Sequence, residues 1–217
     1  MKILVTGAQG FVGKNLITEL NNQGYQDIFA FDLDTDKAML DTWTQDCDFV
    51  FHLAGVNRPK DEYKFDEGNM GFTQELLGLL NKHNNFCPLV FTSSIQAKLD
   101  NPYGKSKKAA EEELLNYGKE TGAKVMVYRL PNLFGKWGQP YYNSVVATFC
   151  YNLARDMEIR INDPEAQVTL CYIDDLVAEF IAALRGNPNQ IEDYVYVAAT
   201  YSITVGELAG LIRSFKE

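Results

Sequence analysis

The first thirteen residues constrain the fold more than any other stretch of the chain. An apolar run at residues 1–6 predicts a short buried strand of a parallel sheet. A glycine-rich turn follows it, and the next apolar residues recur at helical spacing. Strand, glycine turn and helix, in this order, form the setting in which a dinucleotide pyrophosphate rests on a helix N-terminus. The sequence therefore predicts phosphate-binding positions at Gly7, Gly10, Phe11, Val12 and Gly13.

The spacing of these glycines is GxxGxxG, whereas the common dinucleotide fingerprint is GxGxxG. The alternative interpretation is an ordinary glycine-rich connection between a strand and a helix. We favour the phosphate site because the turn lies directly between a buried strand and an amphipathic helix.

The second predicted strand, residues 28–31, ends in an acidic residue, Asp32. It lies about 20 residues past the fingerprint, where a carboxylate accepts hydrogen bonds from the adenosine ribose of a bound nucleotide. Asp34 and Asp36 follow, and negative charge there repels the additional phosphate of NADP. The residues therefore favour NAD over NADP, although Asp34 and Asp36 also fit a solvated acidic loop.

Strands and helices continue to alternate along the chain. Further apolar runs predict a strand from residue 49 and strands at residues 89–94 and 124–130, with helical patterns between them. This alternation predicts an α/β fold with a Rossmann-like, doubly wound parallel sheet in a single domain of 217 residues. The turn after the third strand lies at the carboxyl edge of that sheet, where ligands bind. It contains Leu53, Ala54 and Gly55.

Two residues near this turn have alternative interpretations. His52 lies within an apolar strand, which favours a hydrogen-bonded core histidine over a catalytic base. Arg58, in the following loop, either faces a substrate phosphate or is an ordinary exposed arginine.

Residues 101–107 read Asn-Pro-Tyr-Gly-Lys-Ser-Lys, and Pro102 suits the first turn of a helix. Tyr103 and Lys107 are spaced to share one face of that helix. A nearby ammonium lowers the pKa of a phenol from its free value of about 10, which favours proton exchange with a substrate oxygen. The alternative is a surface helix that carries both residues by chance. Ser94 ends the preceding strand, where its hydroxyl could bind a substrate carbonyl.

The net charge of −9 is spread along the chain and argues against a nucleic-acid partner, which needs clustered Lys and Arg. No apolar run is long enough to span a membrane. The cysteines form no CxxC pair, so we predict no metal site and reduced thiols, with Cys47, Cys87 and Cys150 buried. With no signal peptide recognised, the expected location is the cytoplasm.

Several of these stretches together resemble the extended short-chain dehydrogenase/reductase family, also called the NAD-dependent epimerase/dehydratase family. The matching positions are TGAQGFVG at 6–13, Asp32, HLAG at 52–55, Asn69, Ser93, Ser94, YGKSK at 103–107, RLPNLFG at 129–135 and YIDD at 172–175. The resemblance implies that Ser94, Tyr103 and Lys107 are the catalytic set, with Lys107 lowering the Tyr103 pKa.

The resemblance also implies a nucleotide-sugar substrate, a homodimer and two sets of binding residues. The cofactor set is Gly7, Gly10, Phe11, Val12, Gly13, Asp32, Leu53, Ala54, Gly55, Asn69, Tyr103 and Lys107. The substrate set is Arg58, Ser94, Gln96, Asn132 and Asn143. A small C-terminal part of the chain, mainly residues 131–217, is expected to hold the substrate.

Within this family the chain is most similar to the reductase domain of CapF-type capsular polysaccharide enzymes. The similarity rests on HLAGVNRP at 52–59, SSIQA at 93–97, DNPYGKSK at 100–107, PNLFGKW at 131–137 and the segment at 142–155. Such enzymes reduce a 4-keto UDP-sugar, generally carry a C-terminal cupin domain that epimerises the sugar first, and tend to use NADPH. We expect no cupin domain within these 217 residues, and Asp32 argues for NADH.

We therefore predict an NAD(P)H-dependent reductase of a 4-keto, UDP-linked deoxy amino sugar in capsular or surface polysaccharide synthesis. One alternative is an epimerase or dehydratase with tightly bound NAD. A dehydratase needs an added acid or base near Ser94, and Ile95 and Gln96 cannot serve, which favours reduction. The alternative of another class is a non-catalytic NAD(P)-binding regulatory protein, which has no need of a proton donor.

Overall fold

A computed structural model of the chain describes residues 1–57, 61 and 65–216. Its strands are β1 (Ile3–Thr6), β2 (Ile28–Phe31), β3 (Phe49–His52), β4 (Leu89–Ser94), β5 (Val125–Leu130), β6 (Asn132–Phe134), β7 (Gln167–Tyr172), β8 (Gln190–Ile191), β9 (Tyr194–Val195) and β10 (Tyr201–Thr204). Its α-helices are α1 (Phe11–Asn22), α2 (Lys37–Asp46), α3 (Phe72–Lys82), α4 (Pro102–Thr121), α5 (Val145–Leu153), α6 (Ile173–Leu184) and α7 (Val205–Ser214). A π-helical turn, Asp66–Gly71, precedes α3, and a 3₁₀ turn, Ile95–Lys98, follows β4.

The main sheet has the strand order β2-β1-β3-β4-β5-β9-β8. Neighbouring strands are parallel except β8, which runs antiparallel to β9. The predicted α/β fold with a doubly wound parallel sheet is confirmed. The chain order reverses between β1 and β3, and ligands of open parallel sheets bind at the carboxyl ends of the strands beside such a reversal.

Both faces of the main sheet are buried, because successive side chains along each strand alternate between the two sides. Ile3 and Val5 of β1 pack with α1 and α6 on one face. Leu4, between them, packs on the other face with α2, α3 and α4. The continuous apolar sequence of β1 therefore follows from its burial on both sides.

A second, smaller sheet has the order β10-β7-β6. It packs with α5 and α7 around a separate apolar cluster that includes Phe149, Leu170 and Leu208. The rest of the segment from residue 131 joins the main layers, since α6 packs on the main sheet and β9 and β8 extend it. Residues 131–217 therefore contribute to both sheets.

All four cysteines are free thiols, but their burial differs from the prediction. Cys47 and Cys171 are buried, and Cys87 is half-buried with its Sγ 3.8 Å from that of Cys47. Cys150 is exposed, so the prediction that it is buried is wrong: its apolar neighbours lie on the inner side of α5. Among the described residues, no helix has the length and apolarity needed to cross a membrane.

Candidate functional site

The glycine turn between β1 and α1 places backbone N–H groups at the carboxyl edge of the main sheet. Gly7 has φ +70°, and a Cβ there would lie 2.7 Å from Ala54 N. Gly10 precedes α1 without a side-chain cap, and the first helical hydrogen bond runs from Lys14 N to Gly10 O. The N–H groups of the first turn therefore have no partner in the helix, which suits an anion.

Gly13 and Gly10 have different surroundings. A Cβ on Gly13 would lie 2.2 Å from Gly7 O, so Gly13 is required for the turn itself. A Cβ on Gly10 would meet only Gly7 O, at 3.1 Å, and Gly10 lines the open cavity. Gly10 is thus the position at which a side chain would block a ligand and leave the turn intact.

Asp32 directly follows β2 and reaches across to the glycine turn. Its carboxylate accepts hydrogen bonds from Gln9 N at 2.7 Å and from Leu33 N at 2.8 Å. Asp34 accepts from the Gln9 side chain, and Asp36 caps α2 through Ala38 N. The predicted ribose-binding carboxylate therefore lies beside the turn, while Asp36 stabilises a helix.

Lys107 is 5% exposed and lies on the inner face of α4. Its Nζ donates to Thr92 O at 3.0 Å and lies 4.9 Å from the centre of the Phe91 ring. A Cβ on Gly55 would lie 2.8 Å from this Nζ, so the absent side chain of Gly55 leaves room for the ammonium. Burial lowers the pKa of Lys107 to about 8, and the negative charge of Glu111 opposes this effect.

Tyr103 is half-buried, and its ring lies 5.8 Å from that of Phe65. Burial raises the pKa of Tyr103, the nearby Ser94 hydroxyl opposes this rise, and the neighbouring Tyr142 adds to it. The prediction that Lys107 lowers the Tyr103 pKa is wrong for this structure. The Lys107 ammonium is instead bonded to Thr92 O, and burial dominates at the phenol.

One cavity of about 640 Å³ joins the glycine turn to this helix. Most of the site residues expected from the sequence line it: Gly7, Gly10, Phe11, Val12, Gly13, Leu53, Gly55, Ser94, Gln96, Tyr103, Lys107, Asn132 and Asn143. Most of these positions follow the carboxyl ends of β1, β3 and β4 or begin α1 and α4, as the strand order requires, whereas Asn132 and Asn143 come from β6 and the segment before α5.

A model of the NAD-dependent epimerase/dehydratase family matches residues 3–199 of the chain. The chain belongs to the NAD-dependent epimerase/dehydratase family. The resemblance seen in the sequence motifs is thus confirmed over most of the chain.

Two family members share high identity with the chain. A UDP-2-acetamido-2,6-beta-L-arabino-hexul-4-ose reductase of Pseudomonas aeruginosa is 45% identical over 216 residues, which covers 100% of this chain. The capsular polysaccharide assembling protein CapF of Staphylococcus aureus is 43% identical in its crystal structure, with a TM-score of 0.91 and 100% of this chain covered. The chain spans 58% of the length of each of these two proteins.

A more distant structure shows that the fold is shared across the epimerase/dehydratase family. The UDP-glucose 4-epimerase of Thermotoga maritima has a TM-score of 0.85 at 24% identity, covering 99% of this chain and 82% of its own. At this identity the similarity concerns the fold alone.

Among the described positions that the family resemblance assigned to cofactor or substrate, Asp32, Asn69 and Ala54 do not line the cavity. Asn69 is 2% exposed, and its side chain bonds both backbone groups of Val56 and the Ser106 hydroxyl. Ala54 lies behind the turn, with its N–H 3.3 Å from Thr6 Oγ1. The structure therefore gives Asn69 and Ala54 positioning contacts, because their polar groups are used within the protein. Arg58 lies outside the described residues.

Two of the substrate positions expected from the family, Asn132 and Asn143, come from β6 and from the segment before α5. Asn132 is exposed and donates to Thr169 O at 3.3 Å. Asn143 lines the cavity just before α5, and its buried Nδ2 has no hydrogen-bond partner among the described residues. An unpaired buried N–H is costly, so a ligand oxygen here would be stabilising.

Sequence reasoning missed part of this wall. Trp137, with φ +67° and 52% exposure, and Tyr142 line the cavity although they follow no strand and show no periodicity. Thr92 and Ser93 also line it, and their place beside Ser94 at a strand end was a signal that could have identified them.

His52 is 1% exposed and lies between Thr6 Oγ1 at 2.8 Å and Thr73 Oγ1 at 2.9 Å. Burial lowers its pKa to about 3, and the charge of Lys107 acts in the same direction. The interpretation of His52 as a hydrogen-bonded core residue agrees with these contacts.

Proposed function

We propose that this chain carries an NAD(P)H-dependent reductase that acts on the 4-keto group of a UDP-linked deoxy amino sugar in capsular or surface polysaccharide synthesis. The observation that carries the proposal is the shared cavity of Ser94, Tyr103 and Lys107 with the glycine turn. It occurs in a chain 45% identical to a protein named as a reductase of such a sugar.

The residues present fit a dinucleotide. The α1 N-terminus offers free N–H groups, Gly10 leaves the approach open, and Asp32 lies beside the turn. When bound, the reduced nicotinamide supplies the hydride for the carbonyl carbon. Lys107 has two further N–H donors beyond the one used by Thr92 O, and we assign them to the nucleotide ribose.

The proton comes from this chain. Burial raises the pKa of Tyr103, so its phenol is protonated at neutral pH and available for donation to the carbonyl oxygen. Ser94, which lines the same cavity as Tyr103, orients the same oxygen. The half-buried setting strengthens both interactions, because little water competes for the oxygen. The ketone thereby becomes an alcohol.

The choice of cofactor within this proposal is NADH. The Asp32 carboxylate beside the turn disfavours a phosphate on the adenosine ribose, whereas the CapF-type subgroup favours NADPH.

A homodimer and a cytoplasmic location belong to the same proposal. Light scattering on the purified chain tests the dimer, and a mass of one chain would contradict it.

The assay follows nicotinamide absorbance after UDP-2-acetamido-2,6-beta-L-arabino-hexul-4-ose is added with NADH or NADPH. We expect oxidation of the cofactor that depends on the sugar, and a 4-hydroxy product by mass spectrometry. Interconversion of sugars without net oxidation would support an epimerase instead. Tight cofactor binding with no turnover of any 4-keto UDP-sugar would support the non-catalytic alternative.

A further inference from the structure

A buried carboxylate lies directly behind the candidate site. Glu111 is 1% exposed on α4, one helical turn after Lys107 and on the same inner face. A buried carboxylate is costly unless it is paired and hydrogen-bonded, so its partners indicate what it does.

Glu111 is held by three side chains from three strands. It accepts a hydrogen bond from the Ser93 hydroxyl of β4. From β5, Arg129 donates through Nη2 at 2.6 Å and through Nε at 2.9 and 3.2 Å. The Tyr194 hydroxyl of β9 lies 3.4 Å from Oε2 and 2.7 Å from Arg129 Nη2. The forked Arg129–Glu111 pair is the geometry in which such bonds are strongest.

This cluster fixes the end of β4. Ser93 and Arg129 are direct neighbours in the register of β4 and β5, and Glu111 bonds both of them. Ser94 is the next residue of β4 and lines the same cavity as Tyr103. Glu111 therefore sets the distance between the strand that carries Ser94 and the helix that carries Tyr103 and Lys107.

The cluster also acts electrostatically on Lys107. Burial disfavours the ammonium, and the negative charge of Glu111 opposes that effect. The other groups facing Lys107 provide no further anion among the described residues. They are Tyr103 of α4, Thr92 O and Phe91 of β4, His52 of β3, which is neutral at pH 7, and Asn69 of the π-helical turn.

We propose that Glu111 is a positioning residue of this site, which holds the end of β4 against α4 and places a buried negative charge one helical turn after Lys107. The inference rests on the proposed function, because it assigns Lys107 a role in turnover.

The first measurement does not depend on activity. The Lys107 side chain, labelled with ¹³C and identified by the signal that Lys107→Met loses, is titrated by NMR in the wild type and in Glu111→Gln. We expect the Lys107 pKa to fall by about one unit in Glu111→Gln. Removing the anion disfavours the ammonium, and the unpaired Arg129 charge acts in the same direction.

The matched control is Glu112→Gln. Glu112 is the next residue of α4, but its side chain is 65% exposed and only reaches Lys108, at 3.9 Å. The control makes the same change of charge at the surface, where solvent screens it. We expect the Lys107 pKa in Glu112→Gln to equal that of the wild type.

The second measurement is the pH profile of kcat. If turnover needs the Lys107 ammonium, Glu111→Gln loses more activity at about pH 8 than at about pH 6. The fall of kcat on the alkaline side of the profile then begins at a lower pH than in the wild type. A loss of equal size at every pH, or an unchanged Lys107 titration, would overturn the proposal. If Glu111→Gln does not fold, Glu111→Asp is used, because it keeps the carboxylate but holds it further from Lys107. The Lys107 pKa is then expected to fall by a smaller amount. No shift in Glu111→Asp would then overturn the proposal.

The two measurements separate the two proposals. A shifted Lys107 titration without turnover of any 4-keto UDP-sugar contradicts the proposed function alone. Normal wild-type turnover with an unshifted titration contradicts the role of Glu111 alone.

Discussion

At the scale of single residues, burial and hydrogen bonding decide the chemistry of the two central groups in opposite directions. Burial raises the pKa of Tyr103 and lowers that of Lys107, because in both cases it disfavours the charged form. The phenol of Tyr103 is therefore protonated at neutral pH, and the Lys107 ammonium has a pKa of about 8. The two side chains share a helix face, yet their surroundings set their protonation.

The first residue-scale prediction concerns Tyr103→Phe. The ring still packs near Phe65, and only the hydroxyl is lost, so the fold and the cofactor affinity should be retained. General acid catalysis contributes about 10²–10⁴-fold, and kcat should fall by that amount. The control is Tyr117→Phe, which removes a hydroxyl bonded to Asn85 O from the same helix and should leave kcat unchanged. Turnover of Tyr103→Phe within about twofold of wild type would remove Tyr103 as the proton donor.

The second residue-scale prediction concerns cofactor preference. The wild type should bind NADH more tightly than NADPH, and Asp32→Ala should narrow or reverse this preference by relieving charge repulsion. Because Asp32 also holds Gln9 N, both affinities should fall in the variant, so the ratio is the informative quantity. Calorimetric titration with both cofactors measures it.

The matched control for Asp32→Ala is Asp46→Ala, which removes an equal charge from an exposed pair with Lys2. That variant should keep the wild-type ratio. A wild-type protein that prefers NADPH would show that Asp32 does not face the ribose.

At the scale of elements, the connection between β1 and α1 separates two requirements that the sequence pattern combines. Gly7 and Gly13 are needed for the close contacts of the turn, whereas Gly10 faces the cavity. Within one turn, Gly7 and Gly13 are therefore needed for packing, and Gly10 is needed for the approach of a ligand.

The element-scale prediction compares two substitutions in this turn. Gly10→Val should fold with a thermal midpoint near that of the wild type but lose cofactor binding, because its side chain occupies the phosphate approach. Gly13→Val should be destabilised by about 1–3 kcal/mol or more, since its Cβ overlaps Gly7 O. Thermal unfolding and calorimetry distinguish the two. Unchanged affinity in folded Gly10→Val would place the phosphate elsewhere.

At the scale of the whole molecule, one buried histidine, His52, contacts three separate elements of the fold near the site. His52 ends β3, bonds Thr6 of β1 and Thr73 of α3, and stacks on Phe91 of β4. Because this junction is built around a neutral imidazole, the stability of the fold depends on pH.

The whole-molecule prediction is a loss of stability in mild acid. The folded-state pKa of His52 is about 3, far below the unfolded value of about 6.5, so its contribution is complete above pH 6.5 and is lost as the pH falls toward 3. The free energy of unfolding should decrease by about 2 kcal/mol between about pH 8 and about pH 5 through this group alone. Urea unfolding as a function of pH measures this change.

The comparison uses both histidines of the chain. His52→Gln should be less stable at neutral pH but should lose less stability on acidification, since no buried imidazole remains to be protonated. His83→Gln, which removes the imidazole bonded to Asp41 at the C-terminal end of α3, should retain the part of the acid sensitivity that comes from His52. Equal slopes for His52→Gln and the wild type would contradict the prediction.

The sequence alone determined the strands β1 to β5 of the parallel sheet, the glycine turn and the shared helix face of Tyr103 and Lys107, but not α2 or the short strands β6, β8 and β10. These features depend on short-range periodicity and backbone geometry, so residues near one another in the chain are sufficient to predict them. The family and the expected nucleotide-binding edge followed from the same local motifs. The acidic residue after β2 was also found in this way.

Only the tertiary structure decided which side chains meet across the sheet and how deeply they are buried. Asn69 is used to hold Val56 and Ser106, Glu111 pairs with Arg129, and Tyr142 joins the cavity wall. Each contact joins segments that are distant in the chain, so no local pattern predicts it. Burial also reversed the expected direction of the Tyr103 pKa, because the cost of removing a charge from water depends on the whole surrounding fold.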